Sequence, residues 1–299
     1  MKRIFTFFLL LFSPIIFFAQ ENEWEWWNTL HGWQDGMKGW RMWLIISPGY
    51  LGPNALPVPE VKKGFLLSET EFEFGAESHF KKGDPTQDIF SRLYVPFAHQ
   101  KIAVEVYGVI AEHYAMSTRI RDERFARDRN GKGWTQGDFY FTTLVQLLKN
   151  RNFPNTLLRM AARTSSGGMY EAGRYSDSPG YFFDLSFSKP AGFLKSGTLT
   201  PFASIGFYNW QTNDELNLQN DAFMYGAGLD LKKDFWNTSL CLSGYSGYKN
   251  QRDDPMVLTF DLRRDVGNRA IRFQIINGLK SWDYTTVRFS AVWYFKGIN

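Results

Sequence analysis

The sequence has a single cysteine, Cys241, which rules out an intramolecular disulfide and a cysteine-based metal centre. Cys241 is expected to pack as a small apolar residue. Histidine is almost as scarce. His31, His79, His99 and His113 are the only four, and no two stand at helical or strand ligand spacing, so neither a metal site nor a cofactor is expected. An excess of one charge is missing too. The chain has 34 basic and 30 acidic residues, and setting aside Lys2 and Arg3 leaves 32 against 30, which gives no support for nucleic-acid binding. Beyond the N-terminus there is no run of twenty apolar residues, so no bilayer-crossing helix is expected.

Aromatic residues, by contrast, are abundant: 28 Phe, 14 Tyr and 11 Trp. A barrel in lipid uses such residues, because Trp and Tyr settle at both water–lipid boundaries. The N-terminus reads as an export leader over residues 1–19. Lys2 and Arg3 form its charged start, and Ile4–Phe18 its apolar stretch, broken at Ser13 and Pro14. Ala19 supplies a small residue at the expected cleavage point before Gln20. The Phe-Ala-Gln ending resembles leaders of the Bacteroidota.

Residues 20–60 differ in composition from the rest of the chain. Six tryptophans between Trp24 and Trp43 precede the turns Ser47-Pro48-Gly49 and Gly52-Pro53-Asn54, then Leu56-Pro57-Val58-Pro59. Prolines this dense exclude regular strand or helix, so an extended segment is expected, plugging a lumen or lying on a periplasmic rim. The domain division is thus a leader (1–19), this segment (20–60) and a barrel (61–299).

From Phe65 onward the periodicity is two. Glu69, Glu71, Glu73 and Glu77 share one face, and Thr70, Phe72, Phe74 and Ala76 the other, as a strand requires. Eleven more segments show the same pattern: Ile89–Pro96, Lys101–Met116, Phe139–Leu148, Thr156–Thr164, Tyr181–Ser188, Leu199–Trp210, Ala222–Leu231, Thr238–Tyr248, Met256–Asp265, Ala270–Leu279 and Tyr284–Phe295. With a periplasmic N-terminus, the short connections Phe97–Gln100 and Val266–Arg269 fall on one side. The long ones, Ser117–Asp138 and Ser165–Gly180, fall on the other, and only the short Lys280–Asp283 breaks the rhythm. The expected fold is all-β, a transmembrane antiparallel barrel of about twelve strands with a Trp/Pro-rich N-terminal extension. A soluble β-sandwich is the rival, but its outer face would be broadly charged.

The polar parity of each strand predicts a lumen charge network: Glu69, Glu71, Glu73, Arg92, Glu105, Arg159, Arg163, Asp184, Asp230, Asp261, Arg263, Arg272 and Arg288. Closure sets the glutamate row beside Arg263, Arg272 and Arg288, and Arg159 and Arg163 opposite Asp184. Bidentate pairing would relieve the repulsion within that row. Such walls would select small polar or charged solutes, or merely fill the barrel. In the longest connection, Arg119, Arg121, Arg124, Arg127, Arg129 and Lys132 outnumber the acids, a basic rim suited to lipopolysaccharide phosphates, or else a solvated loop.

Catalytic signals are thin. Asp128–Gly133 has the outline of a calcium loop, but Lys132 stands where an oxygen donor belongs. The residues two after His79, His99 and His113 are Lys81, Lys101 and Ala115, so the His-x-Ser of phospholipase and lipid A deacylase barrels is absent. His113 and Ser117 would lie about 13 Å apart on a strand, leaving Ser165 or Ser166 as the serines folding could bring to His113.

The leader, the alternating strands and the loop rhythm resemble those of bacterial outer-membrane β-barrels, over residues 1–19 and about 65–295. The last strand, with Phe289, Ala291, Trp293 and Phe295 outward, resembles the terminal signal read by outer-membrane assembly machinery, although Lys296–Asn299 come after it. The resemblance implies an outer-membrane location, with membrane lipid, lipopolysaccharide and that machinery as partners. A narrow channel for small polar solutes is the first reading. A non-conducting accessory barrel is the second, and an enzyme acting on outer-leaflet lipid the third.

Overall fold

The computed structural model describes residues 23–149, 152–191 and 197–296, so the expected leader lies outside the described residues. The chain divides after Lys38. In the first unit, Glu25–His31 is a helix that ends at Gly32, whose left-handed backbone (φ +67°) lets its N–H bond Asn28 O. A helix here departs from the extended segment expected. The prolines that exclude helix begin only at Pro48, so the stretch Trp24–His31 is free to coil.

The second unit, from Gly39, is a closed antiparallel barrel. Its strands are β1 (Thr70–Phe80), β2 (Thr86–Phe97), β3 (Ile102–Ala115), β4 (Lys132–Thr135), β5 (Phe139–Leu148), β6 (Asn155–Arg163) and β7 (Gly180–Ser188). They continue as β8 (Thr198–Asp214), β9 (Asn217–Lys233), β10 (Trp236–Ser246), β11 (Met256–Val266), β12 (Arg269–Lys280) and β13 (Thr285–Phe295). Each pairs with its chain neighbour, except that β3 pairs with β5. The short β4 only extends the rim beside Glu112–Ala115. Twelve strands therefore make the wall. β1 closes it against β13 along its whole length, from Thr70↔Phe295 to Phe80↔Thr285. A sandwich has no such seam.

Alternation sets the two faces. Along β1 the burial reads half-buried, then buried and exposed by turns, with Glu71, Glu73, Glu77 and His79 inside and Phe72 and Phe74 outside. Large apolar side chains cover the exterior around the barrel, among them Leu93, Ile110, Phe141, Phe183, Ile205, Leu240, Ile271 and Phe289. Water would penalise an apolar belt this large, whereas hydrocarbon accepts it.

The connections differ in length between the two ends. At one end they are 98–101, 149–154, 189–197, 234–235 and 267–268; at the other they include 116–138, 164–179 and 247–255. We call these the short-turn and long-loop ends.

Residues 40–67 thread the lumen from end to end. At the long-loop end Trp40 Nε1 donates to Phe125 O (3.0 Å), and Ser47 Oγ donates to Gln251 O (2.6 Å). Midway, Arg163 Nη1 donates to Ala55 O (3.1 Å), and Tyr245 OH to Leu56 O (2.7 Å). At the short-turn end Leu66 N donates to Gln146 Oε1 (2.8 Å). There Gly64, at φ +75°, turns the chain toward β1. A Cβ at that position would stand 2.7 Å from Ser188 N and 2.9 Å from Asn155 O.

Candidate functional site

The charged side chains gather on the wall formed by β11, β12, β13, β1, β2 and β3. Because β1 is the seam, its glutamates meet arginines remote in sequence. Arg263 pairs with Glu71 at 2.7 Å, Arg272 with Glu73 at 3.3 Å, and Arg288 with Glu77 at 2.5 Å. From the other side, Arg92 reaches Glu73 at 2.8 Å, Glu71 at 3.4 Å and Glu105 at 3.3 Å. Arg272 also meets Asp261. Each of these carboxylates thus has a guanidinium beside it, which is how buried charges become tolerable.

The threaded segment joins this ladder. Glu60 accepts from Arg272 at 2.7 Å, Lys62 pairs with Glu105 at 2.8 Å, and Lys63 pairs with Asp230. The three residues stand close together in sequence, so one extended stretch reaches carboxylates and guanidiniums on several strands.

Two expected residues sit elsewhere than the parity argument put them. Glu69 precedes β1 and is exposed, so it is not part of the inward row. Arg159 does pair with Asp184, at 2.5 Å, as its register opposite Asp184 requires. Arg163 does not: it stands opposite Gly180, and its partner is Asp138 at 2.7 Å, just before β5. Burial raises the Asp138 carboxyl above its ordinary range, and Arg163 counters only part of that.

At the long-loop end a second knot ties loops, wall and segment together. Asp84, in the β1–β2 turn, accepts from Arg124 (2.6 Å), Arg174 (2.8 Å) and Tyr284 OH. Arg124 also donates to Leu51 O (2.9 Å), and Arg174 to Glu112 (2.8 Å) and Thr86 (2.8 Å). Burial alone would raise the Asp84 carboxyl, but Arg174 and Arg124 outweigh it and hold it below the ordinary aspartate value.

This knot corrects the expected basic rim. Arg121 and Arg124 are buried, because the helix Thr118–Glu123 folds the loop inward and Arg124 is drawn to Asp84. Arg127 packs over Trp40. Arg119, Arg129 and Lys132 remain exposed, and Arg119 is paired with Glu123. Asp128 ties the loop down, accepting from Tyr114 OH and Asn130 N.

Opposite the charged wall, aromatic rings project inward: Phe182, Tyr208, Trp210 and Tyr245 pack on Leu44, Ile46, Leu51 and Leu56 of the segment. Between segment and wall lies a cavity of about 180 Å³, enough for several waters. Glu73, Glu77, Arg92, Arg288 and Tyr107 line it, and so does Cys241. Cys241 therefore faces the lumen between Ser239 and Ser243 rather than packing among apolar neighbours alone. As for a serine–histidine pair, His113 packs against Trp134 with its ring tilted and meets Gln87 (3.4 Å), while the Ser166 hydroxyl bonds Thr164 (2.8 Å).

Several participants escaped the sequence reading. Glu112 is one, because a bulge at Ile110 flips the parity of β3: Glu105 and Glu112 differ by an odd number yet both face inward. Asp88 lies one residue before the expected start of β2. It stands beside His79, with Nε2 2.6 Å from Asp88 Oδ2.

No protein-family model matches the sequence, and no curated protein does. Among solved structures, the chain is similar to the COG4313 outer membrane channel from Pseudomonas putida F1, with 12% identity and a TM-score of 0.49, over 81% of this chain and 97% of that one. It is also similar to the KdgM porin, with 9% identity and a TM-score of 0.46, over 75% of this chain and 99% of that one. A third is the Pseudomonas putida toluene transporter TodX, with 6% identity and a TM-score of 0.36, over 83% and 97%. At such values the likeness does not bear on what this chain carries.

Proposed function

We propose that this chain is an outer-membrane channel for small polar or charged solutes, closed in the present conformation by its own residues 40–67. The long-loop end faces outward, the leader is removed near Ala19, and Arg119, Arg129 and Lys132 lie level with lipopolysaccharide phosphates. The observation that carries the reading is the charged wall itself. A barrel that needed only filling could use apolar side chains at less cost, since isolated buried ion pairs gain little stability over apolar packing. Here acidic and basic groups from β11, β13, β1, β2 and β3 line a cavity beside a segment that is not part of the wall. Water and a solute could pass along that wall if the segment withdrew.

One observation favours the second reading, a non-conducting accessory barrel. The segment is anchored at both ends and in the middle, through Arg124, Arg163, Tyr245, Glu105 and Arg272. Planar-bilayer conductance of the full-length protein and of a form lacking residues 20–60 separates the two. Silence at full length with steady conductance in the shortened form supports the closed channel. Silence in both supports the accessory barrel. Steady conductance at full length shows a path past the segment.

A further inference from the structure

We propose that Glu77, His79 and Asp88 form a binding site for one divalent first-row metal ion of the zinc or manganese class. One ligand atom from each lies within 4.8 Å of the others, and all three residues are buried. Their placement results from strand register. Glu77 stands directly opposite Asp88 across β1 and β2, and Asp88 directly opposite Glu112 across β2 and β3. Three like charges in one row repel, so each needs a counter-charge.

Two have one. Arg288 holds Glu77 at 2.5 Å, and Arg174 holds Glu112 at 2.8 Å. The middle carboxylate has only an imidazole: among the described residues no lysine or arginine pairs with Asp88, which meets His79 and the neutral Asn54 amide (2.8 Å). Its other oxygen, Oδ1, is buried with no hydrogen-bond partner. A buried, unpaired carboxylate oxygen is costly, so something cationic belongs there.

The imidazole is oriented for that role. Its Nδ1 lies 2.6 Å from Thr286 Oγ1. Its Nε2 lies 2.6 Å from Asp88 Oδ2, a hydrogen bond whose proton a metal ion would displace, and 3.6 Å from Glu77 Oε2. Thr286 and Arg288 then serve as the outer partners that fix ligand geometry. One imidazole and two carboxylates suit zinc, manganese or ferrous iron, whereas calcium and magnesium call for more oxygen donors than these three residues supply. Glu77 and His79 also line the cavity, which leaves a coordination position for water.

The site goes beyond the channel reading and does not depend on conduction. The full-length protein, purified in detergent without a histidine tag and stripped with chelator, is dialysed against Zn²⁺ alone and then Mn²⁺ alone. One ion per chain is expected. His79→Gln and Asp88→Asn should each weaken binding at least tenfold, and His113→Gln should leave it unchanged. Heat-modifiable migration checks that each variant keeps its barrel. If a variant fails that check, X-ray absorption of the zinc-loaded parent decides, with one nitrogen and the rest oxygen expected as ligands. Absence of saturable binding, loss with His113→Gln, or a shell without imidazole would overturn the site and leave a proton between His79 and Asp88.

Discussion

The two walls of the lumen hold the same segment by different physics. From β11 round to β3 the contacts are to charged side chains: Glu60 pairs with Arg272 and Lys62 with Glu105, and the Asn54 amide donates to Asp88 and Glu112. On the facing wall rings and neutral hydrogen bonds predominate, as where Trp210 Nε1 donates to Ile46 O (3.0 Å) and Tyr245 OH to Leu56 O, with Lys63 on Asp230 and Arg163 on Ala55 O as the charged exceptions. A ring contact keeps its strength as pH changes, whereas a carboxylate–guanidinium contact lasts only while the carboxylate is ionised. The ionic wall is therefore the one that a change in conditions can loosen.

The sharpest way to break the comparison, after removal of residues 20–60, is Arg272→Ala. It takes the arginine from Asp261 and Glu60 and leaves Glu73 to Arg92 alone, and loss of one partner from a buried network costs about 3–5 kcal/mol. Urea unfolding in lipid should show that loss, and a change under about 1 kcal/mol would mean that water already reaches the pair. On the facing wall, Tyr245→Phe removes one hydroxyl and should cost about 1 kcal/mol, equally at pH 7 and pH 4.

Acid should separate the walls further. Asp84 is held below its ordinary value, so its contribution is complete above the unfolded aspartate value of about 4 and is lost as pH falls through the lower native value. Melting temperatures taken from pH 7 downward should stay flat with respect to this group until below about pH 4 and then drop, and Asp84→Asn should blunt the drop. The smallest effect belongs to Arg119→Ala. Its pair with Glu123 is solvent-exposed, and unfolding should move by no more than about 0.5 kcal/mol.

Much of the ionic wall was legible in sequence because a strand's period of two is rigid. Segment Phe139–Leu148 has the bounds its alternation implied, and Glu71 and Glu73 face Arg263 and Arg272 once the seam is closed. What alternation hides are the places where it is interrupted. The bulge at Ile110 concealed Glu112, and Asp84, Asp138 and Arg174 lie in connections without any period. The path of residues 40–67 was equally out of reach, since a proline-rich stretch carries no periodicity and its course is set by partners distant in sequence, such as Arg163 and Trp282.

That path constrains how the barrel is put together and how it could be emptied. The chain passes through a ring that its own first and last strands complete, so the segment either lies in place before β1 zips onto β13 or is drawn through afterwards like thread through a bead. Nor can it swing aside as a hinged door does. It is continuous with β1 at the short-turn end, while Trp40 and Ser47 are fastened at the other, so clearing the bore means hauling the strand lengthwise.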